Sequence, residues 1–322
     1  MNIEETIQVW AEKRGYQAAA GGVSLLKEVR SSLEKRRDKR EIDNAFFRDY
    51  LDNFSYLEGS RLKNPQSILI VAVPRPAHIL SFSLANKTIE TILPPTYVGY
   101  RKFFEDVRGD LEAALSAHNC HLEILSAPLK SVANILWLLS YGRNNIGYIE
   151  GLGSFFQLVG LLSDKRVGAI SRPMGPSQKL LARCRECRIC AKACPTGAID
   201  KDRILLHAEK CYTLFSEAPE PIPEDLKPPS PRCLIGCIRC QKVCPENKGL
   251  LHYEEAAVSF DSEETLTFLG EEQESGQAME RAKAKFRKLG MTEDMPIFMR
   301  NFKRMVDSGH LPMPKGNRNK SQ

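Results

Sequence analysis

Residues 184–195 read CRECRICAKACP, which sets Cys184, Cys187, Cys190 and Cys194 at the spacing CxxCxxCxxxC with Pro195 directly behind. Three thiolates spaced this way wrap three irons of one 4Fe-4S cube, and the fourth reaches across to a second cluster. A zinc site asks for four ligands in tetrahedral array, commonly two CxxC pairs, and explains neither the third cysteine spacing nor the proline. A second group, Cys233, Cys237, Cys240 and Cys244 followed by Pro245, repeats the tail CxxCxxxCP, but Leu234 stands where its first cysteine is expected. Spacing alone recruits Cys233, and Cys211 is also at hand. Two four-ligand clusters use eight of these nine thiols, so one is left over.

Between the two groups runs PEPIPEDLKPPSP (residues 219–231), an extended connector that cannot be a helix. Upstream, Pro173, Gly175 and Pro176 mark a boundary. Before it, the β-branched run SILIVAV (residues 67–73) is the best strand in the chain, stopped by Pro74 and Pro76. Residues 88–93 and 121–125 look like further strands. Residues 97–118 have helical spacing through Phe103, Phe104, Val107, Leu111 and Leu115, and residues 131–141 suggest another helix. The first forty residues read as helices, with Ile3, Ile7, Trp10 and Ala11 on one face. Strands alternating with helices imply α/β layers. The expectation is an N-terminal α/β sandwich domain over residues 1–175, a bacterial double-cluster ferredoxin-like module over 176–255, and a short helical segment with a mobile basic tail over 256–322.

Composition fits this division. Hydrophobic residues make up 42% and charged residues 27% of the 322-residue chain, the balance of a protein that buries a real core. No apolar run reaches the length of a spanning helix, and the acidic start lacks the pattern of a secretory signal, so the expected location is the cytoplasm and no membrane is expected. Nine of the ten cysteines fall between positions 184 and 244, which favours ligation over disulfides; Cys120 reads as a small core residue. The net charge of +6 is mild. Five basic residues (Lys179, Arg183, Arg185, Arg188, Lys192) against Glu186 either offset the charge of a thiolate-bound cluster or dock an acidic electron donor. The six histidines show no metal spacing, and the glycine-rich residues 142–154 match neither GxGxxG nor a Walker loop.

The run CxxCxxCxxxCPTGAI, a lone Cys211 before an aromatic residue, PIPEDLKP and GCxxCQxVCPxN together resemble the epoxyqueuosine reductase family of cobalamin-dependent iron–sulfur enzymes. Upstream, LSAP (125–128), GRN (142–144) and GSFF (153–156) resemble further blocks of that family in the same order, so the resemblance spans about residues 65–250. It implies that Cys184, Cys187, Cys190 and Cys244 bind one cluster, that Cys194, Cys211, Cys237 and Cys240 bind the other, and that Cys233 is spare. It also implies a cobalamin in the N-terminal domain, beside Gly142, Arg143, Asn144, Gly153 and Ser154, reduced to nucleophilic cobalt(I) by the nearer cluster. The chain departs from the family at Leu125, where a proton-donating aspartate is expected, and at Gly99-Tyr100-Arg101, which keeps only the tyrosine of a polar block; Tyr100 is then the remaining candidate proton donor. The 78 residues after Cys244 fall short of three helical repeats of about forty residues each, which puts transfer RNA in doubt as a substrate.

The resulting expectation is an oxidoreductase that takes electrons from an external donor such as ferredoxin or flavodoxin, passes them through two 4Fe-4S clusters to cobalamin, and so to an unidentified substrate. The alternative is an electron-transfer or reductive-activation protein serving a partner corrinoid protein. The eighth ligand is the most direct test. Cys211→Ser is expected to lower the iron of the reconstituted protein toward one cluster and Cys233→Ser to leave both, read by iron analysis; the reverse pattern would exchange the two roles.

Overall fold

The computed structural model describes residues 1–84, 86–170, 180–200, 203, 205–227, 232–270 and 276–309. The expected boundary at Pro173 to Pro176, the end of the proline-rich connector and the basic tail lie outside the described residues. The strands are β1 (Gln17–Gly22), β2 (Ser67–Pro74), β3 (Ala77–Leu84), β4 (Lys87–Leu93), β5 (Leu122–Ile124), β6 (Ser140–Tyr141), β7 (Gly147–Tyr148), β8 (Phe156–Ser163) and β9 (Tyr253–Glu255). The chain divides into two compact units. One comprises Met1–Arg75, Arg101–Lys210 and Cys240–Leu250, the other Pro76–Tyr100, Cys211–Arg239 and Leu251–Gln322.

In the first unit the run at 67–73 becomes β2, a central strand of an antiparallel sheet ordered β1-β2-β8-β5. Side chains alternate across a strand. Leu69, Val71 and Val73 therefore join one core with Ile7, Trp10 and Ala11 of helix Ile3–Glu12 and Val107 and Leu111 of helix Tyr100–Ala114. Ile68, Ile70 and Ala72 join another with Leu26 and Val29 of helix Leu25–Asp38 and Val132 and Ala133 of helix Leu129–Ile135. A sheet between two helical layers is the expected α/β sandwich. None of the ten cysteines forms a disulfide.

Two local expectations are corrected. Residues 17–22, QAAAGG, form β1 and not helix, because pairing with β2 supplies the hydrogen bonds that such small side chains do not specify by themselves. The helix expected over 131–141 ends at Ile135: Trp137 takes a left-handed φ of 61° and the Asn134 side chain donates to the Leu139 carbonyl at 2.9 Å, which turns the chain into β6.

In the second unit β3 pairs antiparallel with β4 and parallel with β9. Among the described residues, helices Ser262–Leu269, Gly276–Leu289 and Met295–Asp307 follow β9. Their core is aromatic. Phe82, Phe260, Phe268, Phe286, Phe298 and Phe302 are all fully buried, and the Phe82 ring lies 4.6 Å from Phe302 and 5.0 Å from Phe260 between centroids. Such pairs add to the area term when offset or edge-on. Phe82→Ala should remove a hub of this cluster and destabilise the unit by roughly 3–5 kcal/mol; calorimetry would detect the lowered transition, and a loss below about 1 kcal/mol would contradict the central place of Phe82.

Candidate metal centre

The first thiol set forms within the first unit. Cys184 lies in the 3-10 turn Ala182–Arg185, Cys190 in helix Ile189–Ala193, and Cys244 caps the turn Pro245–Asn247. Burial pushes the Cys190 thiol up to about 11, with the neighbouring Cys184, Cys244 and Cys187 adding to the rise. Burial likewise raises Cys184, opposed by Arg143 and reinforced by Cys244 and Cys187. These four thiols are thus within electrostatic reach of one another, and they are the set implied for one cluster. Metal coordination deprotonates a thiol outright and overrides such shifts. The set fits a cluster. Among the described residues no three His, Cys, Asp or Glu are grouped to hold a single metal ion; a cube gives each of its four cysteines an iron of its own.

Side-chain donors brace the loop that carries this set. The buried Arg143 guanidinium donates to the Cys184 carbonyl at 2.8 Å and 3.2 Å and to the Arg203 carbonyl at 3.4 Å. Arg188 donates to the carbonyls of Cys184, Arg185 and Cys187 at 3.4, 2.9 and 3.1 Å. Ser154 donates from its backbone to Asn247 Oδ1 at 2.9 Å and from its hydroxyl to Gln241 Oε1 at 2.9 Å, while Asn247 Nδ2 donates to Ser154 Oγ and the Gln241 carbonyl, each at 2.8 Å. Gly153 has φ +58°, and a Cβ there would come within 2.5 Å of Asn247 Oδ1, so both its conformation and its space require glycine.

Beside Cys244, the Tyr148 hydroxyl accepts from Asn144 Nδ2 at 2.9 Å. It also hydrogen-bonds the Cys244 thiol; burial first, and then this bond, holds the phenol far above its usual range, so it stays protonated and donates. A Cβ on Gly142 would come within 2.5 Å of both Asn144 Oδ1 and the Tyr148 ring. The residues implied for corrinoid contact are thus placed together, but Arg143, Asn144 and Ser154 turn inward onto the cysteine-bearing segments or their neighbours.

The second implied set is divided in sequence between the units, with Cys194 and Cys240 in the first and Cys211 and Cys237 in the second. Cys194 Sγ lies 3.6 Å from Thr196 Oγ1. Cys211 caps helix Tyr212–Glu217. Burial pushes the Tyr212 phenol up to about 12, with Cys237 and Cys233 among the groups that raise it. Tyr97 is raised by burial and Glu217, and further by Cys233 and Cys211, so these thiols lie within electrostatic reach of one or other tyrosine. Cys233 is fully buried and forms an isolated bridge with Ile92. The broken cysteine spacing has a packing cause: Leu234 is 0% exposed and belongs to the phenylalanine core of the second unit.

Tyr100 begins its helix in the second unit and is 50% exposed; burial first and Glu217 second raise its phenol. Leu125 is buried at 3% exposure in the sheet core, its N–H bonded to the Gly160 carbonyl at 2.9 Å, and brings no proton donor. Of the basic segment, Lys179 lies outside the described residues, Arg183 pairs with Glu246 at 2.6 Å, Arg188 is spent on the cluster loop, and the side chains of Arg183, Arg185 and Lys192 are exposed. Sequence reasoning missed Tyr148, Arg188 and Asn247 as bracing residues. Asn247 had a signal, since it closes the GCxxCQxVCPxN run.

Residues 183–247 match the 4Fe-4S double cluster binding domain family. The chain is 31% identical to the epoxyqueuosine reductase of Staphylococcus aureus over 121 residues, which are 38% of this chain and 30% of that protein. It is 32% identical to the Escherichia coli epoxyqueuosine reductase over 126 residues, 39% of this chain and 30% of that protein. The matched stretch therefore takes in less than a third of either relative. Among solved structures, an epoxyqueuosine reductase from Streptococcus thermophilus matches with a TM-score of 0.65 at 17% identity, over 96% of this chain and 82% of that one. One from Bacillus subtilis matches with a TM-score of 0.62 at 18% identity, over 95% and 84%. The protein is epoxyqueuosine-reductase-like in fold and carries a 4Fe-4S double cluster binding domain.

A hydroxyl that donates to a cluster thiolate favours the more negative, reduced state. Tyr148→Phe should lower the potential of the cluster on Cys244 by roughly 40 mV, the one-electron equivalent of a hydrogen bond of about 1 kcal/mol. Redox titration would measure it, and an unchanged potential would show that the hydroxyl does not reach the ligated sulfur.

Proposed function

We propose that this protein is an iron–sulfur oxidoreductase that relays electrons from an external donor, a ferredoxin or flavodoxin, through two 4Fe-4S clusters to cobalamin and so to a substrate still to be identified. The observation that carries the relay is the set of Cys184, Cys187, Cys190 and Cys244, the first and third of them buried, with Arg143 and Arg188 tying down its loop. Fixed donors around a cluster tune its charge and potential, which is the protein's share of such chemistry. Cobalamin as acceptor follows from the likeness in fold and, when bound, supplies a nucleophilic low-valent cobalt. Arg143 and Arg188 hold the loop peptides, Tyr148 holds a proton at its hydroxyl beside Cys244, and Leu125, which has no proton to give, leaves proton donation to another group.

Leu125 favours a second reading, in which the same relay ends on a partner's corrinoid and no small molecule is turned over here. Anaerobically reconstituted protein should hold about eight irons per chain in either case. Added hydroxocobalamin should co-elute with the reconstituted protein at one per chain; no retention, together with reduction of a corrinoid protein in a stable complex, would replace the first reading by the second. Turnover of epoxyqueuosine-containing transfer RNA would overturn the weight placed on Leu125.

A further inference from the structure

Helix Met295–Asp307 reaches back to the segment that carries Cys211 and Cys237. Asn301, 1% exposed, donates from Nδ2 to the Ser216 carbonyl at 2.9 Å and the Leu234 carbonyl at 2.7 Å, and so bridges the stretch after Cys211 to the stretch before Cys237. Arg300 orients that amide through Asn301 Oδ1, at 2.9 Å and 3.1 Å. The same guanidinium donates to the carbonyls of Phe215, Ser216 and Ala218 at 3.1, 3.3 and 2.7 Å, and to that of Glu220. Several of these are end carbonyls of helix Tyr212–Glu217, which no intrahelical N–H can reach. One turn further, Arg304 donates to the carbonyls of Ile222, Pro223 and Leu226 at 3.2, 2.5 and 2.9 Å. In that stretch Pro219, Pro221 and Pro223 have no N–H, so the backbone cannot satisfy its own acceptors and must borrow donors.

The bonds converge on the two cysteines. Cys211 caps helix Tyr212–Glu217, and the hydroxyl of Ser216 in that helix accepts the Gly236 N–H at 2.9 Å, one residue before Cys237. The backbone on which both thiols ride is thereby joined to itself through Ser216 and to the C-terminal helix through Asn301.

We infer that Arg300, Asn301 and Arg304 are positioning residues for the second cluster: they fix the backbone of Cys211 and Cys237 in its ligating form before iron arrives. Residues 183–247 alone then lack the frame for two of the second cluster's four ligands. The inference rests on the double-cluster reading above. Its test uses the full chain with Asn301→Leu, which keeps the branched shape but removes both donors, beside Phe302→Leu, which weakens the same helix without touching the carbonyls. After anaerobic reconstitution the wild type should hold about eight irons, Asn301→Leu about four, and Phe302→Leu about eight. Asn301→Leu should keep the Mössbauer signature and the potential of the remaining cluster, and Arg300→Lys, which retains charge but not the fork, should hold its second cluster about tenfold less tightly. Circular dichroism and melting of the iron-free proteins report folding. Eight irons in Asn301→Leu, or loss of the same four in Phe302→Leu at a matched loss of stability, would overturn the inference. A wild type that accepts only four irons would remove the double-cluster reading, and the inference with it.

Discussion

Peptide carbonyls that no long helix or sheet can claim are the constraint on which the cysteine-bearing part of this protein depends. A cluster asks its ligands to come from short loops, and short loops leave acceptors open. Here guanidinium and carboxamide groups answer them: Arg143 and Arg188 around the first thiol set, Arg300, Asn301 and Arg304 around Cys211 and the proline-rich connector. Arginine suits the task because its planar fork meets several carbonyls at once and does not lose its proton. A net charge of +6 is in part the sum of such assignments, with Arg143 and Arg188 committed to the backbone of the cysteine loop and not to a partner.

What could be read from the sequence follows from how local each signal is. The cysteine spacing and the run that becomes β2 were legible, since each is dictated by neighbours in the chain. Residues 17–22 were not, because alanine and glycine take the strand only when β2 is there to pair with. The tail of the helix expected at 131–141 was lost to Asn134 and a left-handed Trp137, neither of which announces itself in a hydrophobic pattern.

The double-cluster module was legible in its cysteine spacing and illegible in its supports. Leu234 appeared as a defect in a metal motif; it is a core residue, and the irregular spacing records a choice between two kinds of burial at one position. Gly142, Arg143, Asn144, Gly153 and Ser154 stood out because the resemblance singled them out, but a one-dimensional pattern does not say which way a side chain faces. Their contacts run to Cys184, Tyr148, Gln241 and Asn247, partners up to 93 residues away.

The two units are interleaved along the chain, with the first closing only on residues 240–250 and the second resuming at Leu251. β3 shows what this means for a growing polypeptide: its hairpin partner β4 follows at once, but its parallel partner β9 begins at Tyr253. At the usual pace of synthesis, the ribosome needs roughly 10–35 s to make the intervening chain. For that interval one edge of β3 is open, and an open edge invites pairing with other chains. The nascent protein is therefore a natural client for chaperones, and a gene fragment that ends at Leu250, the last residue of the first unit, would inherit the exposed edge permanently.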